Sequence, residues 1–572
     1  MKKALFALLI NICLFDHLQA QLLVSNGETL YSTVKNELIV KEAVTNNGTV
    51  NYITLSGSAG QTVQGTGTFG NLEISTTGIV TIPNTADNPT VTNLTIESGG
   101  SVTIAPGAPL TVSGILTNSS IGGIVIQSIE SGTGSLIPSG TLSGTGTALV
   151  ERYMLKNAWH IISSPTGNQS IKAFIDDNLD IPVVLGATPV QYGMMDYNPT
   201  DFWNPYFRDT TVRALGLGKG YMVRVQDPVE VLRFKGIINS TATVAVVKGW
   251  NCIGNPFTSA VNINSLAGST NFITTNTDAF ESVNGGLYFW DQGSVQYVVV
   301  NNASASYKAA MGQGFFMKVK DGVSSVTFTT AMQVHEYNAP FKGTQVEYPS
   351  IKLTSLCGEK SFTTDIKFID GTTNGLDFGY DAGLFTTDKS FTLYTKLVED
   401  NGVNFQLQCL PPTGYDKMVI PLGIDSKAGG EIVFTVQTVQ LDPICKVILE
   451  DRLTNTFTDL SKNSYKIVVA ANTAGTGRFY LHTGDIVSGL EDQVLQGKLT
   501  AYAKGNKEIR VIGEVGDGAV ATLFNGLGKV VLTKKLSVGT LNIIGLPNLS
   551  SGIYLLNIND KGTPQTIKIM IR

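Results

Sequence analysis

The sequence predicts an all-β chain built as a row of modules: a short N-terminal β-solenoid, tandem β units, a β-sandwich and a small C-terminal β-sandwich. Three observations predict it. Charged residues make up only 15% of the 572 residues while glycine alone numbers 61, a balance of short strands and tight turns rather than helices. A 22-residue spacing recurs near the N-terminus. A second, much longer unit of about 92 residues then occurs twice in tandem.

The first twenty residues read as a secretory signal peptide. Lys2 and Lys3 precede an apolar run from Ala4 to Phe15, and Leu18-Gln19-Ala20 ends the segment before Gln21. The run is too short to span a bilayer, and no later stretch approaches the ~20 apolar residues a membrane helix needs. Cleavage would remove Cys13 and leave Cys252, Cys357, Cys409 and Cys445, widely separated and without a CxxC or Cys/His cluster. That spacing argues against structural zinc, and it leaves any disulfide pairing open. The formal charge of −5 has no basic concentration, so no nucleic-acid partner is expected.

Residues 21–148 are expected to form a short right-handed β-solenoid, with a Gly-rich β-sandwich as the alternative. Leu72, Leu94 and Leu116 lie 22 apart, as do Gly78, Gly100 and Gly122; Val80, Val102 and Ile124; and Ile82, Ile104 and Ile126. Within each copy apolar residues alternate with Thr, Ser or Glu, the period of a strand with one face inward. One such unit cannot bury its apolar face alone, whereas stacked copies build a continuous core. From Ala43 to Val150 the only charges are Glu73, Asp87, Glu97 and Glu130, as expected where each position stacks on its own copy.

Residues 149–339 are expected to be the duplicated unit. Trp159-His160-Ile161-Ile162-Ser163-Ser164-Pro165 is echoed by Trp250-Asn251-Cys252-Ile253-Gly254-Asn255-Pro256. Gly218-Lys219-Gly220-Tyr221 is echoed by Gly312-Gln313-Gly314-Phe315, and Phe234 by Phe328. The Gly-x-Gly pairs lack the third glycine and the following helix of a dinucleotide fingerprint, so they read as tight turns into core strands. Between these landmarks, Tyr197, Trp203 and Tyr206 stand near Asp196, Asp201 and Asn204. Flat rings beside such polar groups form either a glycan-stacking platform or packed core.

Residues 340–486 alternate as strands between turn signals, which predicts a β-sandwich. Leu449-Glu450-Asp451 precedes a loop, and Arg478-Phe479-Tyr480-Leu481-His482 reads as its final strand. Asp370, Asn374, Asp377 and Asp381 make an oxygen-rich loop, a calcium candidate without EF-hand spacing. Asp and Asn also favour turns in their own right.

No catalytic signature appears. The mature chain would keep His160, His335 and His482, none beside a cysteine or in an HExxH pattern, and there is no GxSxG elbow or P-loop. No cofactor is expected.

Residues 490–572 contain Gly526-Leu527-Gly528-Lys529, then Gly552-Ile553-Tyr554-Leu555-Leu556, then Ile567-Lys568-Ile569-Met570-Ile571. This order resembles the C-terminal sorting domain of proteins exported by the type nine secretion system of Bacteroidota. The resemblance implies a small β-sandwich read by the outer-membrane translocon, with Gly528, Lys529, Gly552, Tyr554 and Lys568 as sorting-signal residues. The family's usual Pro-Asn-Pro opening is replaced here by Ala501-Tyr502-Ala503. The stretch around Leu110-Thr111-Val112 resembles the β-helical parts of bacterial surface adhesins. The expectation is therefore a secreted or outer-membrane-attached, structural or adhesin-like protein with glycans or matrix as ligands. The alternative is a secreted polysaccharide-degrading enzyme whose site lies in an unfamiliar β domain.

Overall fold

In the computed structural model the described residues are 22–571, except 33–34, 36–37, 86–88, 185–189, 200–201, 208–212, 227–230, 337–347, 398–401, 442–445, 485–498, 505–506, 526–527, 548, 551 and 561–562. The expected signal peptide and Cys445 lie outside these. The chain divides into two compact units after Gly484.

The first unit begins with stacked coils. The coils contribute strands to two sheets that run parallel through the stack, and both sheets bury their inward residues in one core. The 22-residue spacing is the ladder register itself: Val80 pairs Val102, Val102 pairs Ile124, and Leu72 pairs Leu94, which pairs Leu116. All of these side chains are essentially sealed from solvent, worth about 1.5–3 kcal/mol each. The solenoid also extends beyond the repeat. Earlier coils advance by 19 residues, from Val50 to Phe69 and from Ile53 to Leu72. Later coils advance by 24, from Ile124 to Ala148, and by 26, from Leu110 to Leu136.

The parallel stack ends where strand Ala148–Tyr153 takes an antiparallel neighbour, Val231–Ile238. Phe174 and Phe234 stack there at 5.0 Å and close the solenoid core.

The two long repeats share one topology. Strand Ala158–Ser163 pairs Gly220–Val225, which pairs Gln191–Asn198, which pairs Phe202–Phe207. Strand Gly249–Gly254 pairs Gly314–Val319, which pairs Leu287–Asp291, which pairs Gln296–Val300. Even the register repeats, since Trp159 faces Arg224 as Trp250 faces Lys318. Each repeat carries one short helix, Ile171–Asp177 and Phe272–Thr275, capped by Ser170 and Asn271, whose side-chain oxygens accept from Ala173 N and Thr274 N. At the other helix end an asparagine performs the same task twice. Asn178 donates to Phe174 O and Arg233 O and accepts from Arg233 N. Asn276 donates to Phe272 O and Thr327 O and accepts from Thr327 N.

The Gly-x-Gly pairs do two jobs. Gly218 and Gly312 have φ of +65° and +74° and make the turns. Gly220 and Gly314 instead allow the two repeats to touch. A Cβ on Gly220 would stand 2.4 Å from Cys252 Sγ, and one on Gly314 would stand 2.5 Å from Ile161 Cγ2.

Beyond the repeats, one continuous sheet wraps into a sandwich. Its order runs Thr456–Asp459, Val447–Asp451, Phe479–Thr483, Val419–Ser426, Phe391–Thr395, Phe405–Leu410, Lys360–Phe368, Ser350–Cys357, Gly430–Val439, Tyr465–Val469. Its core includes Leu353, Ile424, Phe434 and Leu481.

The second unit packs a three-stranded sheet and a four-stranded sheet around Ile509, Val511, Leu523, Leu556 and Ile569. No helix among the described residues is long and apolar enough to cross a membrane.

Candidate functional site

The three aromatic candidates sit in two packed settings. Tyr197 is buried, with its ring edge-on to Trp203 at 5.6 Å and to Phe316 at 4.7 Å. Burial pushes its hydroxyl up to about 12. Trp203 is half-buried and contacts Phe316 at 5.6 Å. Tyr206 is buried beside Tyr221, and Arg213 lies 5.6 Å over its ring. Asp196 accepts a hydrogen bond from Lys219 Nζ at 2.8 Å. Asp201 lies outside the described residues.

Tyr197 and Trp203 belong to a larger aromatic cluster with Trp159, Trp250, Trp290, Tyr288, Tyr297, Phe316 and Phe385. It holds all four tryptophans of the chain. Both repeats and the sandwich contribute to it, and the rings meet edge-on or tilted, as the aromatic quadrupole favours.

In the oxygen-rich loop the structure brings together Asp377 and Asp381 but leaves Asp370 and Asn374 exposed. Asp381 Oδ2 accepts from Asp377 N at 2.7 Å, and its Oδ1 accepts from Cys409 N at 2.7 Å. Asp377 Oδ2 accepts from Thr373 N at 2.6 Å. These carboxylates fold the loop through its own amides. Burial pushes the Asp381 carboxyl up to about 7. Among the described residues no three His, Cys, Asp or Glu side chains are gathered so as to hold a metal ion.

Sequence reasoning missed a charged knot in the sandwich. Arg478 grips fully buried Asp451 through Nε at 2.9 Å and Nη2 at 2.7 Å, and Tyr465 donates to the same carboxylate at 2.8 Å. Glu450 accepts from Arg452 Nε at 2.9 Å and pairs with His482 Nε2 at 2.8 Å. Opposed by burial, these partners hold both carboxyls below their usual range. Glu450, Asp451, Arg478 and His482 stood in the sequence as two neighbouring strand ends, and only pairing of Val447–Asp451 with Phe479–Thr483 joins them. Cys252, Cys357 and Cys409 are unpaired thiols.

In the second unit the residues expected to form the sorting signal lie on two paired strands and in one turn. Strand Gly552–Asp560 pairs the final strand Thr563–Ile571, placing Gly552 opposite Ile571, Tyr554 opposite Ile569, and Lys568 opposite Leu555. Tyr554 is buried and donates from its hydroxyl to Ser550 O at 2.9 Å. Gly528, at φ +76°, and Lys529 close the turn in which Lys529 N donates to Asn525 Oδ1. That turn joins Val520–Phe524 to Val530–Lys535, and Phe524 pairs both Val530 and Leu555. A row across all four strands thus reads Val530, Phe524, Leu555, Lys568. Val530, Leu555 and the neighbouring Ile553 are about half exposed, and Lys568 is exposed. The last strand is the edge of its sheet, with Leu499 N donating to its Gln565 Oε1 at 2.8 Å.

Residues 70–482 match a family model described as a domain of unknown function (DUF8693). The chain belongs to this family. Residues 503–572 match the secretion system C-terminal sorting domain. The DUF8693 protein is therefore a type nine secretion substrate of Bacteroidota, delivered to the cell surface or the medium. The match to the sorting domain starts at Ala503, the last residue of the replaced opening. No curated protein matches the chain. Among solved structures, a polysaccharide lyase is 10% identical over 39% of this chain and 40% of its own, at a TM-score of 0.13. The chain thus spans well under half of that lyase's length. The adhesin domain of Epf from Streptococcus pyogenes is 12% identical over 39% and 92%, at 0.11. The BSP domain of a biofilm associated protein is 9% identical over 74% and 92%, at 0.15.

Proposed function

We propose that this DUF8693 protein is a binding module displayed outside the cell, adhesive or structural rather than catalytic, with glycans or matrix as its ligands. We also propose that its translocon reads the end of the sorting domain where Gly528, Lys529, Gly552, Tyr554 and Lys568 meet. The observation that carries the second statement is the half-exposed apolar row Val530–Phe524–Leu555 ending on Lys568. Apolar side chains in water on one face, ending on a cation, suit docking by a partner. The first statement draws support from how the buried carboxylates are used. Asp381, Glu450 and Asp451 are saturated by amides, arginines and a histidine.

The test is export in a strain that has this secretion system, comparing wild type, deletion of 499–572, and Leu555→Glu with Lys568→Glu. Periplasmic build-up of both variants, with the point variant still folded by circular dichroism, supports the reading. Normal export of the point variant overturns the assignment of that face.

A further inference from the structure

A cleft of about 560 Å³ opens on the second repeat, with Lys248, Asp278, Glu281, Lys318, Asp321 and Phe378 in its lining. We infer that it is a carbohydrate-binding site for a neutral sugar unit, an inference that rests on the adhesive reading above and gives it a location.

Charge is the first argument. Three lysines, Lys248, Lys318 and Lys320, meet three carboxylates, Asp278, Glu281 and Asp321. Lys248 pairs Asp321 at 2.8 Å, and Lys318 stands 3.7 Å from Glu281. The cleft is balanced, so neither an anion nor a cation is selected. What it offers is a dense mixture of donors and acceptors, matched to vicinal hydroxyls.

The second argument is an unfinished hydrogen bond. Glu281 Oε2 makes no hydrogen bond, and its ion-pair partner, the Lys318 ammonium, stands 3.7 Å away, beyond hydrogen-bond length, so a ligand hydroxyl can supply the closer donor. Asp278, Ser282 and Lys320 stand exposed around it.

The third is a ring. Phe378 is 41% exposed at the rim, where it gives a sugar an apolar face to lie on. Its position is held from several sides. Asp377 and Asp381 fold its loop, Asn302 N donates to Gly379 O at 2.9 Å, and Asn301 Nδ2 donates to Tyr380 O at 2.6 Å. Gly379, at φ +80°, lies against Gly285, where a Cβ would meet Gly379 N at 2.5 Å. A ring placed before the ligand arrives loses little entropy on binding. The oxygen-rich loop thus acquires a role: its carboxylates build the support of the stacking residue.

The test probes wild type, Phe378→Ala, Phe378→Tyr and Glu281→Gln on a printed array of neutral oligosaccharides, followed by calorimetry with a retained sugar. The cleft predicts retention by wild type and Phe378→Tyr, and binding weaker by about tenfold or more for Phe378→Ala and Glu281→Gln. Tryptophan fluorescence of each variant checks that the neighbouring cluster is intact. If wild type binds and both weakened variants bind equally well, the cleft is wrong and the adhesive reading survives. If wild type retains no sugar, the cleft and the glycan reading fall together.

Discussion

Gly314→Ala should disturb the aromatic cluster itself, which an alanine placed at a glycine that only makes a turn should leave in place. The added Cβ would stand 2.5 Å from Ile161 Cγ2, 3.0 Å from Ile162 O and 3.2 Å from Ile161 C. Carbon pairs pack at about 3.5–4.0 Å, so the first contact alone demands a separation of roughly 1 Å between strands Ala158–Ser163 and Gly314–Val319. Two of the blocking atoms are backbone, which rotamer changes cannot clear. The expected cost is about 1–3 kcal/mol. Gly322→Ala is the control, with φ of +83° and nothing within 4 Å of its new Cβ. It carries only the left-handed penalty of about 1–2 kcal/mol, acting in an exposed turn outside the cluster. Urea unfolding followed by tryptophan fluorescence reads the difference, because all four tryptophans sit in the cluster. With a slope of about 2 kcal/mol per molar, Gly314→Ala lowers the midpoint by roughly 0.5–1.5 M and moves the native emission maximum, whereas Gly322→Ala leaves that maximum in place. An unchanged native spectrum and an undisturbed midpoint for Gly314→Ala would refute the claim that the second glycine of the pair exists for close approach.

Asp451→Ala should cost about 2–4 kcal/mol in thermal or urea unfolding, since it strands Arg478 and removes the acceptor of Tyr465 and Leu453 N. Burial lowers His335 to about 4, where it bonds Thr111 Oγ1 and Ser135 Oγ. A folded-state value below the unfolded ~6.5 means the unfolded chain takes the proton first, so stability falls as pH drops from about 6.5 to 4, by about 2–3 kcal/mol. His335→Gln should flatten that slope in unfolding measured across the range. Asp381, pushed up to about 7, acts in the opposite sense. Its contribution is whole below pH ~4 and is lost as pH rises towards 7, so Asp381→Asn should gain relative stability at pH 7 over pH 4.

The sequence revealed the fold wherever neighbours in space were copies of one another. In a parallel stack Val80 lies on Val102 and Val102 on Ile124, so the register is written as spacing. Coils of 19, 24 and 26 residues escaped because a search at one period cannot align them. The Gly-x-Gly pairs were legible as turns, and half of their purpose is a turn. Close approach at Gly220 and Gly314 needed the opposing copy, Cys252 and Ile161, some 30 and 150 residues away. Tyr197 and Tyr206 could be read as platform or core because composition carries no sign of which ring face is covered. The cleft was invisible for a related reason: Lys248, Glu281, Lys318 and Phe378 come from four separate stretches. The sorting-signal residues, by contrast, lie on adjacent strands and in one turn, so their linear order survives in space.

The scarcity of charge in the solenoid follows from the same stacking, and its exception shows the rule at work. A charged residue repeated in register would face its copy about 4.8 Å away along the stack. Glu73 pairs in the ladder with Thr54 and Thr95, not with another carboxylate. It is nearly sealed from solvent, at 2% exposure, and Tyr52 donates to it at 2.7 Å. Burial and that carboxylate together raise the Tyr52 hydroxyl to about 12. Lys35, from an earlier coil, reaches Glu73 at 2.9 Å and Glu97, a coil later than Glu73, at 2.7 Å. Both pairs push its ammonium well above the ordinary lysine range. One cation therefore bridges the carboxylates of two coils, reaching them from the segment that precedes the repeats. Removing Lys35 leaves a nearly sealed carboxylate with a phenol as its remaining bonded partner, so Glu73 is tolerated at this point of the stack because Lys35 reaches it.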